Sequence, residues 1–137
     1  MKLAVLADIH ANWPALQTVA GHIEAWRPDC VIVAGDVVNR GPRPLECLRF
    51  VQDSGWSSVR GNHEEYVMTH AEPDSPRSGP QFEIWQGSFY TYRRLNEDVS
   101  ALGFRSQFQP PSGHCQWRRR SASRSARASA RPSVTSA

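Results

Sequence analysis

The sequence contains no long hydrophobic run. Its first apolar stretch, Leu3 to Ala7, is five residues long and stops at Asp8, which is shorter than the roughly 7 to 15 residues of a signal-peptide core. No later stretch approaches the roughly 18 consecutive apolar residues that indicate a membrane span. The sequence therefore predicts a cytoplasmic protein with no membrane partner.

Cysteine is scarce and shows no metal-binding spacing. The three cysteines, Cys30, Cys47 and Cys115, are an odd number without a C-x-x-C pair, so they predict neither a disulfide framework nor a structural zinc module. A reducing compartment fits this pattern best. The sequence also lacks G-x-G-x-x-G and P-loop patterns, which leaves a Rossmann-type nucleotide site with little support.

Acidic residues are missing from the last part of the chain. All 13 lie between Asp8 and Asp98, where nine basic residues leave a net charge of −4. Residues 99–137 hold seven arginines and no acid. The high isoelectric point of the whole chain therefore arises from the arginines of residues 99–137. A domain that is basic throughout and binds nucleic acid is excluded as the first interpretation.

Length and composition favour one folded domain and a tail. The 137 residues are 39% hydrophobic and 21% charged, close to the usage of globular proteins. The last 26 residues contain seven serines, six arginines and five alanines, too little apolar surface to offset the entropy of ordering. We expect a domain over residues 1–104 and a disordered tail over residues 105–137.

Strand and helix patterns alternate in the first 60 residues. Apolar runs predict strands at residues 3–7 and 30–34 and a weaker one at residues 56–60. Helical spacing predicts one helix from Trp13, with Asn12 as a possible cap, and a second around Leu45 to Val51. This order predicts an α/β fold with a parallel βαβαβ sheet. A further helix is predicted over residues 81–102.

Polar side chains follow each predicted strand. Asp8 and His10 follow the first, Asp36 follows the second, and Asn62 and His63 follow the third, at intervals close to one βαβ unit. Because parallel strands end at the same edge of a sheet, these side chains should meet there. Carboxylates brought together repel unless a cation lies between them, and Asp, His and Asn suit divalent Mn, Fe, Zn, Ni or Mg.

The three clusters form a recognisable set of motifs. Asp8-x-His10 fits D-x-H, residues 35–41 fit G-D-x-x-(D/N)-R-G, and residues 61–64 fit G-N-H-(D/E). Over roughly residues 1–70 the sequence resembles the calcineurin-like metallophosphoesterase family, and looks closest to small bacterial phosphodiesterases and to the diadenosine-tetraphosphatase and serine/threonine-phosphatase branch. The resemblance implies the N-terminal half of a four-layer α/β sandwich and hydrolysis of a phosphomono- or diester by a metal-activated water.

The resemblance also implies a role for each motif residue. Four residues would hold two divalent ions, namely Asp8, His10, Asp36 and Asn62, with Asp36 bridging both. His63 would protonate the leaving alkoxide and Arg40 would contact the phosphate of the phosphoester substrate.

The chain departs from the family pattern in its second half. The V-H-(G/A)-x and G-H-x-H stretches of family members are missing, and Gly113-His114 matches only half of the latter. We therefore expect a chain that is truncated or frameshifted in its C-terminal half and that holds two ions, one or none.

The alternative function is a catalytically impaired fragment that binds metal weakly, or a protein that contacts nucleic acid through its basic tail, although nucleic acid is not the expected partner. The oligomeric state stays open.

Each signal also has a plainer interpretation. Taken alone, any one motif could be a turn or a helix cap. Glu64 is expected to orient its loop rather than bind metal. Solvated or capping roles are expected for three further histidines, namely His22, His70 and His114. The aromatic series Trp85, Phe89 and Tyr92 is expected to be core rather than a base-stacking platform.

Overall fold

The computed structural model describes residues 1–97 of the chain. In order, the elements are β1 (Leu3–Leu6), α1 (Trp13–Trp26), β2 (Cys30–Val33), α2 (Pro44–Ser54), β3 (Ser57–Ser58), α3 (Asn62–Met68), a 3-10 turn (Thr69–Ala71) and α4 (Pro80–Asn96). The predicted disordered tail, the domain boundary at residue 104 and His114 lie outside the described residues.

The three strands form one parallel sheet in the order β1-β2-β3. This confirms the predicted α/β architecture. β3 is shorter than the predicted strand at residues 56–60, because only Ser57 and Ser58 pair in register with Ile32 and Val33. Two serines bring little apolar surface to the sheet, so the strand ends almost as soon as it begins.

The hydrophobic core lies on one face of the sheet. Leu6 on β1 pairs in register with Val33 on β2, and both are buried. Leu3 and Val5 alternate to the opposite face, where they are 43% and 60% exposed. An apolar run without alternation is typical of a strand that is covered on both faces. Within the described residues this face of β1 is exposed, whereas apolar side chains of α1 and α2 belong to the same core as Leu6.

The helices begin where their sequence signals indicate. Asn12 caps α1 by accepting a hydrogen bond from the Ala15 N–H at 3.3 Å, and Pro14 stands in the first turn. Leu16 and Ile23 bury the apolar side of α1, but Trp26 at its end is 41% exposed. Val19, in the middle of α1, is also 43% exposed, so helical spacing predicted the helix but not the extent of its buried side.

α4 packs against α3 and the adjoining 3-10 turn. It begins at Pro80, next to the predicted start at residue 81. Of its aromatic series, Phe89 and Tyr92 are partly buried, whereas Trp85 is 37% exposed. Core packing therefore accounts for two of the three rings. Within residues 1–97, no helix combines the length and the apolar character that crossing a bilayer requires.

The two described cysteines differ in state. Cys47 is a fully buried free thiol, and burial, with a smaller contribution from Glu46, raises its pKa to about 12. Cys30, at the start of β2, is disulfide-bonded.

Candidate metal centre

Backbone hydrogen bonds join the loops that follow β1 and β2. The N–H of His10 donates to the carbonyl of Asp36, and the N–H of Ala11 donates to the carbonyl of Val37, each at 2.8 Å. The loop that carries Asp8 and His10 is thereby held against the loop that carries Asp36. This is the meeting of strand ends that the parallel topology predicts.

Glu64 joins the second loop to the third. Its carboxylate is fully buried and accepts hydrogen bonds from four backbone N–H groups. Oε2 accepts from Asp36 and Gly61 at 2.8 and 2.7 Å, and Oε1 accepts from Val37 and Val38 at 2.8 and 3.2 Å. Such charge-assisted bonds satisfy a buried carboxylate without a metal ion. Glu64 therefore orients the loops, as the sequence predicts.

Three side chains converge where the loops meet. His10, Asp36 and His63 each offer a ligand atom, and these atoms lie within 4.8 Å of one another. The two imidazole rings meet edge to face, with centroids 4.6 Å apart. The backbone N–H of His63 donates to Asp36 Oδ1 at 2.9 Å, which fixes one oxygen of the carboxylate. A carboxylate and two imidazoles form a donor set suited to a divalent transition metal.

The backbone around this cluster adopts an unusual conformation. Six non-glycine residues in these loops have φ between 48° and 72°, namely Asp8, His10, Ala11, Asp36, Asn39 and Arg40. Each such residue costs about 1–3 kcal/mol and persists only where its surroundings hold it in place. Here the cross-loop hydrogen bonds and Glu64 provide that support. The concentration of this strain at the strand ends marks them as a functional site.

Two glycines let the loops approach closely. A Cβ on Gly61 would overlap Asp36 Oδ1, and a Cβ on Gly41 would overlap the carbonyl oxygen of His10. The φ of Gly61 is −98°, an ordinary value, so space rather than backbone freedom requires glycine there. The motif glycines therefore set the distances between the side chains of the cluster.

Asn39 and Arg40 contact the two ring nitrogens of His63. The Asn39 Oδ1 accepts from the Arg40 N–H at 2.8 Å, and its amide nitrogen lies 2.9 Å from His63 Nδ1. The Arg40 Nε–H donates to His63 Nε2 at 3.4 Å. A neutral imidazole accepts at only one nitrogen, so the ring satisfies one of these two donors at a time. Together the two contacts fix the orientation of the ring.

Burial lowers the pKa of His63 below its ordinary value. The carboxylate of Asp36 opposes this shift, whereas His10 and the Arg40 guanidinium add to it. Burial at this position therefore favours the neutral form of the ring.

The other predicted ligands lie beside the cluster. The Asp8 carboxylate is 3.2 Å from His10 Nε2, and its side chain is 70% exposed. Asn62 begins α3 directly before His63, with an exposed side chain. The Nδ1 of His10 is buried and has no hydrogen-bond partner among the described residues. A buried imidazole nitrogen without a partner fits a site that holds a cation.

Comparison with known proteins agrees with this arrangement. A sequence model described as calcineurin-like phosphoesterase matches residues 1–124. The chain belongs to the calcineurin-like phosphoesterase family. A metallophosphoesterase from Sphaerobacter thermophilus has a similar fold, with a TM-score of 0.57 and 28% sequence identity over 80% of this chain and 41% of that protein.

Two curated relatives share the motif region. The symmetrical bis(5′-nucleosyl)-tetraphosphatase of Stutzerimonas stutzeri is 51% identical over 45 residues, which cover 31% of this chain and 16% of that protein. Serine/threonine-protein phosphatase 2 of Escherichia coli is 36% identical over 65 residues, which cover 47% of this chain and 30% of that protein. The chain therefore matches less than a third of the length of either relative.

Sequence reasoning missed two polar residues. Asn39 received no role, although its place in the G-D-x-x-(D/N)-R-G pattern marks it. His70 is not solvated as expected, because it is 3% exposed and contacts two hydroxyls. Its Nδ1 lies 3.2 Å from Ser75 Oγ and its Nε2 lies 2.7 Å from Ser88 Oγ. No local pattern could show this, since Ser88 is 18 residues away on α4.

Proposed function

We propose that this chain is a metal-dependent phosphoesterase that hydrolyses phosphomono- or diester bonds by attack of an activated water. The convergence of His10, Asp36 and His63 on loops that carry the family motifs supports this proposal most directly. The names of the two relatives, a nucleosyl-tetraphosphatase and a protein phosphatase, support a phosphate-bearing substrate.

Four side chains would hold divalent ions, namely Asp8, His10, Asp36 and Asn62. Their oxygen and nitrogen donors suit Mn, Fe, Zn, Ni or Mg, with manganese as our first choice. When bound, such ions polarise a phosphoryl group and make a water molecule more acidic. The buried, unpaired Nδ1 of His10 supports the fit.

His63 and Arg40 would act on the phosphoester itself. When its ring is protonated, His63 would donate a proton to the oxygen that leaves the phosphorus and become the neutral imidazole, while its contacts with Asn39 and Arg40 hold the ring in place. The guanidinium of Arg40, exposed beside that ring, presents paired N–H donors suited to phosphoryl oxygens. Glu64 would hold the loops that carry Asp36 and His63 at a fixed distance from each other.

Hydrolysis of an aryl phosphodiester and an aryl phosphomonoester, with and without manganese, tests this function. We expect turnover that a chelator abolishes. The variant Asp36→Asn should lose most of the turnover and most of the bound metal, because it removes the central carboxylate. Asp53→Asn is the matched control, since Asp53 is an exposed carboxylate on α2.

Elemental analysis of the purified full chain separates the possible failures. One or two ions per chain in the wild type, lost in Asp36→Asn, would support the metal centre even before a good substrate is found. Equal turnover in wild type and Asp36→Asn would refute the assignment. We propose a cytoplasmic location, which cell fractionation would test.

A further inference from the structure

A cavity of about 430 Å³ opens between α3, the segment after it and the first turns of α4. Aromatic rings of Tyr66, Phe82 and Trp85 form much of its wall, and His70, Glu72 and Asp74 also line it. The volume falls within the roughly 300–1,000 Å³ of small-molecule sites. None of the residues assigned to the metal centre lines this cavity.

Tyr66 links the cavity to the metal centre. It lies one helical turn after His63 on α3, and the two rings meet with centroids 5.3 Å apart. On its other side Tyr66 contacts the ring of Trp85, with centroids 4.9 Å apart. Tyr66 is therefore the ring that His63 and the aromatic wall of the cavity share.

The charged side chains that line the cavity favour a group with N–H donors over a phosphoryl group. Glu72 and Asp74 are exposed carboxylates in its lining, and the lining contains no lysine or arginine. The nearby Arg77 is already engaged, because it donates to the His70 carbonyl at 2.7 Å and lies over the ring of Phe89. Carboxylates repel phosphate and accept N–H donors, while flat rings stack on Trp and Tyr.

We propose that this cavity binds the nucleobase of a nucleoside phosphoester whose phosphoryl group lies at the metal centre. The inference rests on the phosphoesterase function proposed above and names its substrate class. Trp85 would stack on the base, and the carboxylates of Glu72 and Asp74 would accept hydrogen bonds from its amino groups. In this arrangement the base would stack on the exposed part of the Trp85 ring.

The test is a titration of the metal-free full chain with adenosine, followed by ligand-observed NMR. Adenosine should bind, and ribose 5-phosphate should not displace it. Trp85→Leu should weaken binding about tenfold, as expected for loss of a base-stacking ring, whereas Trp85→Phe should retain most of the affinity. Trp26→Leu is the control, since Trp26 is similarly exposed but lies at the end of α1.

Three results would overturn the proposal: no adenosine binding, equal affinities for Trp85→Leu and Trp26→Leu, or displacement of adenosine by ribose 5-phosphate. Because Trp85 is partly exposed, its variants should fold, and the Trp85→Phe arm detects any general damage to α4. The assay uses neither metal nor hydrolysis. An inactive protein that still binds adenosine would therefore count against the proposed function and not against the cavity.

Discussion

The carboxylate of Glu64 accepts a hydrogen bond from the backbone N–H of Asp36 at 2.8 Å. The same Glu64 oxygen accepts from Gly61 at 2.7 Å. One side chain therefore sets the spacing between the loop that carries the central carboxylate and the loop that carries His63. This makes Glu64 a positioning residue for the cluster, although its carboxylate is not one of the groups that would hold the metal.

Glu64→Gln tests this positioning role. The amide keeps one acceptor oxygen, and its NH₂ group then faces two backbone N–H donors. We expect the free energy of unfolding to fall by about 2 kcal/mol or more and metal affinity to fall roughly 10- to 100-fold. Denaturant unfolding and metal titration measure these effects. Glu65→Gln, at an exposed neighbouring carboxylate, should stay within about 0.5 kcal/mol of wild type. If the two variants behaved alike, Glu64 would not be the positioning group.

Gly61→Ala tests the close approach of the loops. The added Cβ would overlap Asp36 Oδ1, so we expect a loss of about 1–3 kcal/mol in stability together with weaker metal binding. Gly21→Ala is a matched control in the interior of α1, where a Cβ meets nothing within 4 Å. That substitution should stabilise the protein by about 0.5–1 kcal/mol. Thermal unfolding of both variants measures the two changes in stability. Changes of the same sign would contradict the prediction.

Asn39→Asp tests how the residue beside His63 affects the protonation of that ring. A carboxylate at this position would accept an N–H from His63 Nδ1 and favour the charged ring. We expect the pKa of His63 in the metal-free protein to be higher in the variant than in wild type. Nitrogen-detected NMR of the imidazole over a pH series measures this pKa. Asn96→Asp, at the exposed end of α4, should leave the His63 signals unchanged. An unchanged His63 pKa in Asn39→Asp would refute the prediction.

His70 makes stability depend on pH. Burial, with a smaller contribution from Arg77, lowers its pKa in the folded protein. Above about pH 6.5 the ring is neutral in both states. As the pH falls below that value, the unfolded chain takes up a proton that the folded chain resists. The free energy of unfolding should therefore decrease on acidification, by at most about 1.4 kcal/mol per pH unit for this group.

Urea unfolding between pH 7.5 and 5 measures this dependence. His70→Gln should have a shallower pH dependence than wild type, because the titrating group is gone. His22→Gln, at an exposed histidine on α1, should keep the wild-type dependence. A His70→Gln profile parallel to that of wild type would show that His70 does not carry the effect.

Much of the site could be predicted because it depends on chain order. Parallel strands separated by single helices must end at one edge, so Asp8, His10, Asp36 and His63 had to approach one another. The role of Glu64 was expected in outline from its place after His63. Its four N–H partners could not be predicted, since they exist only when the loops after β2 and β3 close around it.

The misplaced predictions share one cause. His70 was expected in solvent, but α4 brings Ser88 onto it. The unbroken apolar run at residues 3–7 is typical of burial on both faces, but Val5 is exposed in the described residues. In both cases the local pattern predicted the helix or strand correctly. It could not predict what packs against that helix or strand, because burial depends on residues distant in sequence.

The sequence by itself determined the family, the order of strands and helices, and the residues that carry the chemistry, because spacing and residue type act locally along the chain. Only the tertiary structure decided how Glu64 holds the loops, which side chains contact the His63 ring, and where an aromatic cavity opens near it. Those features arise from contacts between loops and helices far apart in sequence, and hydrogen-bond geometry and burial are properties of such contacts.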